Sequence, residues 1–103
     1  LQKLMDQRYT WDERKRRINL SQHKLDFADA DMVLNNPLKL EVASPRKGEH
    51  RIQAFAYVFE VLTVLSVAYQ PGEPARIISF RRAKRSERDA YHEWLETDFH
   101  DPE

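Results

Sequence analysis

Two stretches decide the fold: His50-Arg51-Ile52-Gln53-Ala54-Phe55-Ala56-Tyr57-Val58 and Val61-Leu62-Thr63-Val64-Leu65-Ser66-Val67-Ala68-Tyr69. In the first, Ile52, Ala54, Ala56 and Val58 fall on one side, and Arg51, Gln53, Phe55 and Tyr57 on the other. That alternation is the mark of a strand whose faces see different surroundings. The second is nearly all apolar, as in a central strand buried on both faces. Phe59 and Glu60 between them supply no turn chemistry, so the joint of this hairpin is not legible.

Working outward, Leu38, Leu40 and Val42 alternate with Lys39 and Glu41, which predicts another half-buried strand. Ser44-Pro45-Arg46-Lys47-Gly48 reads as a turn. Beyond the central strand, Gln70 to Pro74 is a loop and Arg76 to Phe80 a last strand. Ser86 is placed to cap a closing helix through Leu95, anchored by Tyr91, Trp94 and Leu95. At the other end, Tyr9 to Trp11 is a short first strand. Asp12 caps a helix to Gln22, with Glu13 in its first turn. Asp26 to Leu34 reads as a second helix with Phe27, Ala30, Val33 and Leu34 on its apolar stripe, stopped by Asn35-Asn36-Pro37. The order β-α-α-β-β-β-β-α predicts an α+β domain: a single antiparallel sheet with helices against one face.

One hundred and three residues suit one domain with a modest core. The expected limits are an N-terminal extension at 1–8, the domain at 9–97 and an acidic tail at 98–103. Leu1 rather than Met opens the chain, which leaves Met5 as a candidate natural start. The absence of cysteine excludes disulfides, thiolate metal sites and a Cys nucleophile. No run approaches the ~20 apolar residues of a membrane span, and no signal-peptide pattern is visible. The expected location is the cytoplasm.

The formal net charge is zero, but charge is segregated. From Arg8 to Lys24 six cations stand against two carboxylates, and from Arg76 to Arg88 six stand against one. From Asp89 to Glu103 all six charges are negative. Zero net charge argues against indiscriminate nucleic-acid binding, which draws on phosphate neutralisation, yet it leaves room for a local RNA groove. The acidic end is expected to stay clear of such a groove.

Three segments carry a family resemblance. Trp11-Asp12-x-x-Lys15-x-x-x-Asn19-x-x-x-His23-x-x-x-Phe27 resembles the start of BrnT-type toxins. Glu49-His50-Arg51 is similar to their step into the second strand. Arg76-Ile77-Ile78-Ser79-x-Arg81-x-Ala83, followed by Glu87, Arg88 and Tyr91, is similar to their ending. The likeness covers about residues 9–92. It implies a RelE-like fold and an endoribonuclease toxin of a type II toxin–antitoxin pair that blocks translation. It also implies a ribbon-helix-helix (BrnA-type) antitoxin, a 2:2 complex, and promoter DNA contacted only through that antitoxin. The chain departs from the pattern at Gln22, where members usually carry Lys, and at Ala56 or Tyr57, where they tend to have Gly. It departs again at Tyr69-Gln70-Pro71, where a polar or basic pair is common, and at Phe80, where a small residue is usual.

Metal-independent RNA cleavage needs a base for the 2′-OH, cations for the phosphorane and an acid for the leaving 5′-oxygen. Arg51, Arg76 and Arg81 are the candidate cations, since a guanidinium stays charged and donates two parallel hydrogen bonds. In a regular strand Arg76 and Arg81, five positions apart, face opposite ways; they share a groove only if the strand ends near Phe80. Glu49 is a candidate base. His50 and His23 are candidate acids or bases, His23 equally serving as a favourable helix C-terminal charge. Lys15, Arg82, Lys84 and Arg85 are candidate RNA contacts. Lys15 and Asn19, one helical turn apart, either face the groove or bond across to the sheet. Trp11, Phe27, Tyr91 and Trp94 read as core, while Phe55, Tyr57 and Tyr69 are the candidates for stacking on bases. The histidines have no metal-ligand spacing, so neither a metal nor another cofactor is expected. Two further readings stand beside the nuclease. One is a catalytically weakened relative kept as an antitoxin-binding and transcription-tuning module; the other is a stand-alone binder of single-stranded RNA.

Overall fold

The computed structural model describes residues 8–99. Most of the expected N-terminal extension, and the tail beyond Phe99, lie outside the described residues. The strands are β1 (Tyr9–Thr10), β2 (Leu40–Ala43), β3 (Ile52–Val58), β4 (Thr63–Gln70) and β5 (Ala75–Arg82). The helices are α1 (Glu13–His23), α2 (Asp31–Leu34) and α3 (Arg85–Phe99). No helix among the described residues is long and apolar enough to cross a membrane.

The five strands form one sheet in the order β1-β5-β4-β3-β2. Four neighbour antiparallel, as the alternation predicts, but β1 runs parallel to β5, with Tyr9 opposite Ala75 and Thr10 opposite Arg76. The sheet is therefore mixed, not purely antiparallel. β1 is too short to cover β5. Where it stops, Asn19 of α1 takes over: its amide donates to the Phe80 carbonyl (2.8 Å) and accepts from the Phe80 N–H (3.2 Å). The same amide also donates to the Leu25 carbonyl (2.9 Å). A side chain thus finishes the open edge, and Asn19 bonds across to the sheet.

Helices cover both faces rather than one. α1, a 3₁₀ turn at Phe27–Asp29 and α2 sit on the first face over Ala54, Ala56, Val58, Leu65, Val67, Ile77 and Phe80. α3 sits on the second, where Tyr91 joins Phe55, Val64 and Ala83, with Trp94, Leu95 and Leu40 packed around them. The buried Tyr91 donates its hydroxyl to the Leu38 carbonyl at 2.6 Å. Trp11 packs edge-on against the buried Phe27, so these aromatics are core, as expected.

Local chemistry explains the boundaries. Asp12 accepts from the N–H groups of Arg14 and Lys15 and caps α1. The expected second helix is broken: Asp26 caps the 3₁₀ turn through the Ala28 N–H, and α2 restarts at Asp31. The unreadable β3–β4 joint is a 3₁₀ turn at Phe59–Val61 closed by Leu62 in the left-handed region (φ 53°). α3 begins one residue before Ser86, which is not its cap. Glu87 instead reaches back to the Lys84 N–H (2.7 Å), the half of a capping box that a glutamate supplies.

Candidate active site

The β2–β3 hairpin builds one wall. Beyond β2 its ladder continues through a bond from the Ser44 N–H to the Arg51 carbonyl (2.8 Å). It ends in mutual bonds between Arg46 and Glu49. Lys47 (φ 47°) and Gly48 (φ 82°) turn the corner, two positive φ values in succession as a twisted two-residue hairpin turn requires. This unbroken register has a consequence for side chains. Arg46, Ser44, Glu49, Arg51 and Gln53 all point to the sheet's second face. His50 alternates away from them and is exposed.

The second wall comes from β4 and β5, through an irregularity. Arg81 is in register with Ser66, Ser79 with Ala68, Ile77 with Tyr69 and Arg76 with Gln70, so Ile78 is an extra residue at a β-bulge. Ser66, Ala68 and Gln70 share a face, and so therefore do Arg81, Ser79 and Arg76. The strand does not end near Phe80. The bulge, adding one residue, brings two arginines five positions apart onto one side.

Between these walls lies a cleft of about 300 Å³ lined by Ser44, Arg46, Arg51, Gln53, Ala68, Ile78, Ser79 and Arg81. A smaller hollow of about 160 Å³ adjoins it at the hairpin tip, among Arg46, Lys47, Glu49 and Arg51. Two of the three arginines are held. Arg51 pairs with Glu49 at 2.9 Å. Arg81 clamps Glu87 with two nitrogens, at 2.9 and 3.1 Å, and both side chains are about four-fifths buried. The Arg81 guanidinium keeps the Glu87 carboxyl below its usual range, helped by the Lys84 N–H. Arg46 forms no ion pair among the described residues and is exposed. Gln53 donates to the Ser66 hydroxyl at 3.2 Å, fixing the cleft floor.

The expected site residues divide accordingly. Arg51 and Arg81 line the cleft, and Glu49 stands at its rim beside Arg51. Arg76 is exposed on the same face further along β5, where its charge helps hold the Asp12 carboxyl low after the two capping N–H bonds. His23, half-buried in the last turn of α1, does not line the cleft, nor does His50. Lys15 lines a separate hollow against α1. Arg82 is in register with Leu65, whose side chain faces the other way. Lys84 and Arg85 are exposed at the start of α3. The three stacking candidates are dispersed. Phe55 is buried under α3, and Tyr57 stays partly exposed. Tyr69 lies on the opposite face, donating to Glu41 at 2.6 Å. Among the described residues, no three His, Asp or Glu side chains stand together as a metal would need.

Sequence reasoning assigns no site role to Arg46, Gln53, Ser66, Ser79 or Glu87, although Ser79 and Glu87 stand in the segment that carries the family resemblance. Gln53 was reachable, since it shares the Arg51 side of the alternation. Ser66 and Ala68 were a weaker signal, small residues in an otherwise bulky apolar strand. Arg46 falls in a segment whose sequence reads as a turn, and the two-residue corner at Lys47 and Gly48 that carries the ladder past it has no sequence signal of its own.

A mixed α+β domain with an arginine-lined cleft matches the model of the ribonuclease toxins of type II toxin–antitoxin systems over residues 11–87. The match spans well over half of the chain, and the chain belongs to that family, the BrnT toxins. No curated protein matches the chain.

Proposed function

We propose that this chain is a metal-independent endoribonuclease, RelE-like in fold, that cleaves RNA in the cleft between the β2–β3 hairpin and the bulged β5. The observation that carries the reading is the convergence of Arg46, Arg51 and Arg81 on one open sheet face with a carboxylate at the rim. Glu49 takes the proton from a ribose 2′-OH, and the 2′-oxygen attacks the adjacent phosphorus. The P–O5′ bond breaks as the 5′-oxygen takes a proton from a solvent water, leaving a 2′,3′-cyclic phosphate and a 5′-hydroxyl. Arg46 and Arg51 stabilise the extra charge on the phosphorane, and Arg81, held by Glu87, fixes the far wall. Metal independence is supported by the charge of the cleft: its three guanidinium groups repel a divalent cation, and Glu49, the carboxylate at its rim, is already paired with Arg51. The domain acts in the cytoplasm, and a ribbon-helix-helix antitoxin in a 2:2 complex neutralises it and carries any contact to promoter DNA.

A second reading is favoured by one observation. Arg51 and Arg81 already have carboxylate partners, Glu49 and Glu87, which offset charge that a phosphate would use. On that reading the chain is a weakened relative that serves as an antitoxin-binding module. The purified protein, with EDTA present, is assayed on RNA and on the same sequence with 2′-deoxy sugars. The nuclease reading expects cleavage of the RNA alone, ending in cyclic phosphate. Cleavage of the 2′-deoxy strand, or loss of activity with EDTA, contradicts the mechanism. No cleavage of any RNA, with antitoxin binding intact, selects the second reading.

A further inference from the structure

Ile78 lines the arginine cleft. On the other side of that residue lies a second hollow of about 160 Å³, lined by Lys15, Ile18, Asn19, Gln22 and Ile78. Ile78, the extra residue of the β5 bulge, therefore lines both cavities. The chemistry of the second hollow differs from that of the first. Its walls include two isoleucines, and Ile18 is 46% exposed, leaving apolar surface open to a ligand. The Asn19 amide is fully occupied by the backbone of Phe80 and Leu25. The Gln22 amide makes no hydrogen bond among the described residues and is exposed. Lys15 adds a cation at the edge.

Resting on the nuclease reading, we propose that this hollow is a subsite for the nucleotide that flanks the scissile one in single-stranded RNA. The base lies against Ile18 and Ile78, its polar edge meets the Gln22 amide, and its phosphate passes Lys15. An apolar surface with one free amide is what a base offers partners for: a flat face to cover and an edge of donors and acceptors to read. A lone phosphate would leave the isoleucines uncovered, and an apolar peptide would leave Lys15 and Gln22 without partners. Ile78, shared by the two hollows, sets the path from the second face past the β5 edge to α1. Chain entering the arginine cleft leaves over Ile78 into the α1 hollow, so the minimum tightly bound ligand is longer than one nucleotide. Gln22 then sets base preference without touching the reacting atoms.

The test is a length series of oligoribonucleotides, each carrying one 2′-deoxy sugar at the step to be cleaved, titrated by fluorescence anisotropy at fixed salt. Affinity is expected to rise about tenfold at the length that first fills the second hollow, the size of one base-stacking step. Gln22→Glu, an exposed change that sets a carboxylate where the phosphate passes Lys15, removes that step and leaves the shortest ligand's affinity unchanged. Gln22→Ala keeps part of the step but flattens the preference among the four bases at that position, and circular dichroism verifies folding of both variants. If both variants bind the whole series as the parent does, the subsite is wrong. If the step is present and sensitive to Gln22 but no all-ribose strand is cleaved, the subsite stands and the nuclease reading falls. If no strand of any length binds, both fall.

Discussion

The two faces of the sheet are built from the same strands and do opposite things. On the first, Ala54, Ala56, Leu65, Val67 and Phe80 are fully buried beneath α1, the 3₁₀ turn and α2. On the second, α3 closes only the end near Phe55 and Val64. The rest of that face carries Gln53, Ser66, Ala68 and Ser79, a floor too small and polar to build a core, ringed by arginines. Stability and the proposed chemistry are thus divided by the alternation of single strands. A substitution on β3, β4 or β5 is expected to damage one or the other according to its parity, with the bulge at Ile78 resetting the count.

The largest expected effect is on the closed face. Phe80→Ala removes a fully buried ring and is expected to cost about 3–5 kcal/mol of unfolding free energy, read from the denaturant midpoint. A loss under about 1 kcal/mol would mean that the first face is not the core. Next comes the seam between the layers. Asn19→Ala leaves the backbone groups of Phe80 and Leu25 without partners and is expected to cost about 2–4 kcal/mol. Asn19 belongs to the motif through which the sequence resembles a nuclease, so this variant sharpens the comparison. Its activity per folded molecule should remain near the parent's on an RNA too short to reach the α1 hollow.

A smaller effect concerns Glu87, which joins the second face to the start of α3. Its carboxyl is held below the ordinary value of 4.5, first by Arg81. A depressed carboxylate contributes stability above its unfolded value, and that contribution is lost as pH falls through the folded value. Glu87→Gln is therefore expected to cost about 1–2 kcal/mol at pH 7, and the gap to the parent should close as pH falls below about 4.5. Urea titrations at pH 7 and pH 3 measure both. A gap that persists unchanged at pH 3 would assign the cost to shape rather than charge.

Much of this architecture was legible in the sequence because alternation is a local signal. The β3 pattern names its faces, the apolar β4 run names a central strand, Asp12 names the start of α1, and Arg51 and Arg81 emerge as cleft arginines. What was not legible depends on partners distant in the chain. The parallel pairing of β1 with β5 follows from where the chain returns, and the amide of Asn19 replaces a missing strand. The bulge reverses the parity of Arg76 relative to Arg81, which no periodicity count anticipates. Arg46 joined the cleft because Lys47 and Gly48 turn tightly enough for the ladder to run past it. The aromatic residues misled for the same reason. Phe55 and Tyr69 looked available for bases until α3 and Glu41 were placed against them.

The central claim is that the open half of the second face is where RNA is cut. Single-turnover cleavage by Arg46→Ala, set beside Lys84→Ala and the parent, tests it most directly. Arg46 lies in the cleft without an ion-pair partner among the described residues, whereas Lys84 lies outside it at the start of α3. The account predicts that Arg46→Ala slows the chemical step by about 10²-fold with an unchanged denaturant midpoint. Lys84→Ala should leave that step near the parent rate and lower only the salt dependence of binding. Full activity in Arg46→Ala together with a collapse in Lys84→Ala would contradict it, placing the reaction at the start of α3 instead.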